Sequence, residues 1–191
     1  MMRQQAFPIL VDGGWRPSQR SETFRALDPA TGEDLPGNYP VSPWAEVAEA
    51  VEAGKKAAGR MAGLGPEPLA RLLEEFAVRI EGRKEALVAA AHAETALPAE
   101  PRLGSVELAR TLDQLRKAAA ACRDRTWRRA TIDTKAGIRS IYGPLGGPVV
   151  IMGPNNFPFA YNAVAGGDFA AALAAGNPVI AKAHPGHPAT T

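Results

Sequence analysis

Residues 148–185 read PVVIMGPNNFPFAYNAVAGGDFAAALAAGNPVIAKAHP, and the fold follows from how this stretch divides. Pro148-Val149-Val150-Ile151-Met152 is a short, nearly continuous apolar run, the composition of a strand buried on both faces. The small-residue run after it predicts a helix over roughly 161–175, capped by Gly176 and ended by Pro178. Pro178-Val179-Ile180-Ala181 then reads as a second buried strand. Strand, helix and strand within about 35 residues make one right-handed βαβ unit. The expected fold class is α/β: an incomplete Rossmann-like parallel sheet, one βαβ unit, with N-terminal hairpins and amphipathic helices.

In an open α/β sheet, ligands sit beyond the carboxyl ends of the parallel strands. Asn155 and Asn156 fall just after the first strand and Lys182 ends the second, so both reach the same rim. An amide there can donate a hydrogen bond to an oxyanion, and a lysine can hold a ribose or phosphate oxygen. Pro154 and Pro158 stiffen the turn and would preorganise the amide. A plainer reading stays open at this point. Asparagines often satisfy turns, and a lysine ending a strand is often a solvated edge charge.

Working outward, short β-type pieces alternate with turns from residue 7 to 35, as in Ile9-Leu10-Val11 before Asp12-Gly13-Gly14. Ser42-Pro43 predicts a helix start with serine as the N-cap, and Trp44, Val47, Ala48 and Val51 form its apolar face. A second helix carries Leu69, Leu72, Leu73, Phe76, Ala77 and Ile80, interrupted near Gly82 before Leu87 and Val88. A third carries Leu108, Leu112, Leu115, Ala119 and Cys122 on one stripe. Ala130-Thr131-Ile132 and Ile138-Arg139-Ser140-Ile141 return to β pattern.

Composition narrows the partners. The formal charge of +2 is too small to imply a polyanionic ligand. Arg123, Arg125, Arg128 and Arg129 beside Trp127 read as a solvated helix end, so no nucleic acid is expected. His184 and His187 lack a third ligand and read as a loop, so no metal is expected. The single Cys122 suits a reducing compartment. With no signal-like or membrane-length apolar run, a cytoplasmic protein without a membrane partner is expected.

Gly153-Pro154-Asn155-Asn156-Phe157-Pro158 resembles the T-P-W-N-F-P signature of the aldehyde dehydrogenase superfamily. The segment Ala172-Leu173-Ala174-Ala175-Gly176-Asn177-Pro178-Val179-Ile180-Ala181-Lys182 resembles that family's A-L-A-A-G-N-x-V-V-x-K. Val11-Asp12-Gly13-Gly14-Trp15, Asp28-Pro29-Ala30-Thr31-Gly32 and Glu94-Thr95-Ala96-Leu97-Pro98 resemble its upstream landmarks, so the likeness covers nearly the whole chain. Ala165-Gly166-Gly167-Asp168 and the stretch from Lys182 through His184 to Pro188 are most similar to the branch acting on 2-oxoglutarate semialdehyde (2,5-dioxovalerate) and related aldehydes.

The resemblance implies an enzyme that oxidises a small-molecule aldehyde to a carboxylate with NADP or NAD. Asn156 matches the amide that stabilises the oxyanion of a thiohemiacetal, whereas Asn155 replaces the family's tryptophan. Lys182 matches the coenzyme-ribose lysine. Met152, Gly153, Pro154, Asn155, Lys182, His184 and Pro185 are the residues this implies against the coenzyme. Pro185 stands where the family usually carries a ribose-binding glutamate, which removes repulsion against a 2′-phosphate and makes NADP at least as suitable as NAD.

The family's chemistry also needs a nucleophilic cysteine and a water-activating glutamate, which lie downstream of the lysine in full-length members. Cys122 sits on the apolar stripe of a helix and reads as inert packing. Residues 1–191 therefore read as the N-terminal part of a coenzyme-binding domain, with the catalytic domain absent and the chain alone inactive. The strands in 126–142 resemble the family's oligomerisation strands, so a homo-oligomer is expected at full length. The other readings are a non-catalytic nucleotide-binding or interaction module, and a gene remnant.

Overall fold

Turn chemistry sets the first elements. Asp12 and Gly13, both at positive φ (49° and 78°), close a hairpin between β1 (Ile9–Val11) and β2 (Gly14–Arg16). The structure, a computed structural model, describes residues 6–20 and 22–191, so residues 1–5 of the N-terminal stretch weighed for a signal segment lie outside the described residues. β3 (Thr23–Phe24) pairs antiparallel with β4 (Tyr39–Pro40), and the Phe7 and Tyr39 rings stack 5.1 Å apart over this ribbon.

α1 (Trp44–Met61) begins one residue later than the sequence predicts. Pro43 is its N-cap, with its carbonyl accepting from Glu46 N at 3.0 Å, and no side chain caps the helix. The buried face is also rotated from the expected one. Trp44 is 81% exposed, whereas Glu46 and Gly54 are buried and Ala50, Ala53 and Ala57 are half-buried at helical spacing. Close approach explains the rotation: a Cβ on Gly54 would stand 2.7 Å from Pro148 Cβ and 3.4 Å from Ile180 Cδ1. Only small side chains fit this contact.

The main core forms on the predicted apolar spacing except at Leu72, which is 52% exposed because it stands off the face carrying Leu69, Leu73, Ala77 and Ile80. α2 (Pro66–Glu81) contributes Leu69, Leu73, Ala77 and Ile80, and α3 (Lys84–Thr95) contributes Val88 and Ala91. After a π-helical stretch, Ala99–Leu108, broken by extended backbone at Glu100, α4 (Ala109–Asp124) adds Leu112, Leu115, Ala119 and Cys122. Arg123 is not merely a solvated helix end. It spans from α4 to α2, giving Nε to Glu67 at 2.8 Å and Nη1 to Glu74 at 2.6 Å. Hydrogen bonding to Glu74 and then Glu67 pushes its pKa further up, and hydrogen bonding to Arg123 lowers both carboxyls.

β5 (Thr131–Asp133) and β6 (Ile138–Ser140) form an antiparallel hairpin whose six residues are all exposed. β7 (Val149–Met152) and β8 (Val179–Lys182) are parallel neighbours joined through α5 (Gly167–Ala174), as the sequence predicts. Gly176, at φ +87°, closes that helix. Two expectations are corrected here. α5 starts at Gly167 and not near residue 161, because Asn162 diverts the preceding backbone: its Oδ1 accepts from Val164 N at 2.9 Å and its Nδ2 donates to Pro158 O at 2.8 Å. And β7 is buried on one face only. Ile151 packs with Ala163 and Ala172, whereas Val150 and Met152 are 51% and 69% exposed. α1 reaches that second face at Ile180. Among the described residues the architecture is mixed α/β, five α-helices around two-stranded sheets.

Candidate functional site

The parallel register places Met152 opposite Lys182, so the carboxyl ends of β7 and β8 lie side by side. Asn155 and Asn156 follow within four residues of Met152, and this is the rim to which the sequence assigns ligand contacts. Gly153 is needed where the chain leaves β7. A Cβ there would stand 2.6 Å from Tyr161 O and 3.1 Å from Ala163 N, so the turn folds directly against the 161–163 backbone.

The asparagine side chains of this region divide into two kinds. Asn162 is consumed by its own turn, and Asn177 accepts from Leu145 N at 2.7 Å while donating to Ala172 O at 3.3 Å. Asn155 and Asn156 are exposed, and neither side chain hydrogen-bonds to a described residue. They are not spent on satisfying the turn. Asn155 instead lies against the segment after β8, where a Cβ on Gly186 would meet its Oδ1 at 2.7 Å. Lys182 is exposed too. Its Nζ reaches only Ala183 O at 3.4 Å, and no carboxylate of a described residue lies within ion-pair distance.

The segment following β8 closes back on the turn. His187, 1% exposed, places Nε2 at 3.1 Å from Pro154 O. A carbonyl can only accept, so the proton is assigned to Nε2. The His184 ring stacks on His187 with centroids 5.1 Å apart, and its Nδ1 accepts from Gly186 N at 3.0 Å. Burial, then the neighbouring His187 and Lys182, lowers the His184 pKa, so the ring is neutral near pH 7. Pro185 occupies the turn between the two histidines. Met152 and Pro154 are exposed, whereas Gly153 is buried.

Sequence reasoning missed the side chains that hold this region. Glu107, 2% exposed, accepts from Phe159 N at 2.8 Å and Ala160 N at 2.9 Å, and its other oxygen pairs with Arg102 Nη1. Arg102 Nη2 donates to Asn156 O at 2.9 Å, and the guanidinium lies 4.5 Å from the Phe157 ring centroid. Glu94, 4% exposed, accepts from Ala189 N, Thr190 N and Thr190 Oγ1 at 2.7, 2.9 and 2.7 Å. In the sequence Glu94 belongs to a family landmark, and Glu107 stands next to Leu108 at the head of the apolar stripe. An acid adjoining an apolar stripe was the available signal. Cys122, 3% exposed, lies 3.7 Å from Ala174 O, and burial raises its pKa, so it is held as a thiol.

Among the described residues no group of three ligating side chains could hold a metal, and no helix is long and apolar enough to cross a membrane. Residues 15–191 match the model of the aldehyde dehydrogenase family. The chain is 39% identical over 181 residues to alpha-ketoglutaric semialdehyde dehydrogenase 2 of Azospirillum brasilense, covering 88% of this chain and 33% of that protein. The chain thus spans about a third of the length of such curated relatives. Its fold is similar to a 1-pyrroline-5-carboxylate dehydrogenase from Thermus with bound NAD, with TM-score 0.83 and 26% identity over 97% of this chain and 35% of that one. It is also similar to an NADP-dependent glyceraldehyde-3-phosphate dehydrogenase from Bacillus halodurans complexed with NADP, with TM-score 0.74 and 27% identity over 92% of this chain and 37% of the other.

Proposed function

Because the chain belongs to the aldehyde dehydrogenase family, we propose that the protein containing it oxidises an aldehyde to a carboxylate with NADP or NAD. The observation that carries this reading is the rim itself: an amide on Asn156 and an ammonium on Lys182, neither engaged by a side chain of a described residue, at adjoining strand ends. The bound coenzyme supplies the hydride acceptor. Asn156 donates to the oxygen that gains charge when a thiolate adds to the aldehyde carbon. Lys182 holds the coenzyme ribose, and Met152, Gly153, Pro154, Asn155, His184 and Pro185 form the surrounding wall.

A lysine with no carboxylate of a described residue within ion-pair distance fits a dinucleotide, and proline at 185 leaves no negative charge there to oppose a 2′-phosphate. NADP therefore fits at least as well as NAD. The likeness to the Azospirillum brasilense protein supports 2-oxoglutarate semialdehyde as substrate. We read the nucleophilic thiol and the water-activating carboxylate as belonging to residues outside this chain, since Cys122 is buried with a raised pKa. The larger fold is read as a Rossmann-like sheet of which β7, α5 and β8 form one unit, and the exposed β5–β6 hairpin as an oligomerisation element.

Asn156→Ala and Lys182→Ala in the full-length protein test these roles. Losing an oxyanion donor lowers kcat by roughly a hundred- to a thousandfold. Asn156→Ala should do this with coenzyme KM nearly unchanged, whereas Lys182→Ala should mainly raise coenzyme KM. Indistinguishable effects of the two changes would refute the assignment.

A further inference from the structure

Resting on that reading of Asn156, we propose that Arg102 and Glu107 are positioning residues that aim its amide. The turn carrying Asn156 has little backbone order of its own. It lies outside any helix or strand, and Pro154 and Pro158 supply no N–H. Its shape must come from side chains reaching in from elsewhere.

One buried carboxylate supplies the far end of the grip. Glu107 Oε1 takes the N–H groups of Phe159 and Ala160, the two residues after Pro158. Arg102 supplies the near end. With one nitrogen on Glu107 and the other on Asn156 O, it carries the constraint from residues 159–160 back to residue 156 itself. The guanidinium also covers the Phe157 ring, fixing the residue between. Three contacts from a planar, forked cation cannot be made together by lysine. Fixing the carbonyl of Asn156 fixes the peptide plane from which its side chain departs, and the amide has no hydrogen bond of its own among the described residues.

A residue that acts only through Asn156 has a kinetic signature. In the full-length protein, Arg102→Met keeps the apolar stem and leaves Glu107 its two backbone donors. Misplacing a catalytic group by about an ångström costs up to roughly a hundredfold, so kcat should fall about ten- to a hundredfold with coenzyme KM unchanged. Arg102→Lys should restore melting temperature towards wild type without restoring kcat. Arg102→Met combined with Asn156→Ala should be no slower than Asn156→Ala alone, because the positioned group is already gone. Glu107→Gln should behave like Arg102→Met, since it keeps an acceptor for Phe159 and Ala160 but loses the ion pair.

Losses that multiply in the double variant would overturn the proposal, showing that Arg102 acts on general stability. Arg102→Met with full kcat beside a slow Asn156→Ala would overturn the positioning role while leaving Proposed function intact. Asn156→Ala with full kcat would overturn the catalytic reading of that amide, and the positioning role with it.

Discussion

Glu46, Glu94 and Glu107 are buried acids that share one task. Each receives backbone N–H groups from a segment distant in sequence: Gln19, Ala189 with Thr190, and Phe159 with Ala160. Leaving a buried donor unmet costs about 1–3 kcal/mol. Glu94→Ala should therefore lower stability by about that amount or somewhat more, and should speed amide exchange at Ala189 and Thr190 first. Unchanged exchange there would contradict the assigned role. Glu46 also makes stability depend on pH. Burial raises its pKa, but hydrogen bonds from Gln19, Ser18 and Ser42, with Arg16 nearby, outweigh that and leave it below the ordinary 4.5. A depressed folded pKa gives stability that is fully present above 4.5 and lost as pH falls through the lower folded value. Denaturant midpoints followed downward from pH 6 should fall more steeply in wild type than in Glu46→Gln. Parallel curves would remove Glu46 from the account.

At the scale of elements, burial by close approach decides what hydrophobic pattern does not. Gly54→Ala places a methyl against Pro148, whose ring cannot swing away, and overpacking of this kind costs roughly 1–3 kcal/mol. A denaturant midpoint equal to wild type would show that α1 can back off from Pro148 and Ile180. The same contact marks where the sequence was legible. The stripe on α4 was readable because large apolar side chains recur at the helical period, and the parallel strand pair because each strand is a short, nearly continuous apolar run. The buried face of α1 was not, because alanine and glycine carry little hydrophobic signal and Glu46 carries the opposite one. The start of α5 was missed because one side chain, Asn162, outcompeted helix propensity. In the site, Asn156 and Lys182 were legible as residue types at strand ends. Arg102 and Glu107 lie about fifty positions from the turn they hold, and no local pattern announces a partner so distant.

For the molecule as a whole, one ribbon and the stretch after it leave a run of large apolar residues exposed, Ile132, Ile138, Ile141, Tyr142 and Leu145. Ile132 and Ile138 lie on opposite faces of the β5–β6 hairpin, since Ile132 pairs with Arg139 and Ile138 with Asp133, and both are exposed, as are Tyr142 and Leu145 farther along. If this ribbon is covered by a second subunit, Ile138→Glu in the full-length protein should sediment as a smaller species at micromolar concentration. A wild type that is already monomeric would remove the expectation. Residues 1–191 expressed alone should form no NADPH or NADH from an aldehyde, because the only thiol is buried and protonated. A turnover abolished by Cys122→Ala would reverse that reading of the thiol.

The grip of Glu107 has a consequence for how this turn can be varied. It closes on main-chain N–H groups, which nineteen of the twenty amino acids supply, so it is blind to what side chains stand at 159 and 160. Position 155 is held by neither Glu107 nor Arg102, and its side chain lies instead against Gly186. A library randomised at 155 could change what the rim accommodates while the neighbouring amide stays aimed. Proline at 159 or 160 is the one replacement the clasp itself forbids.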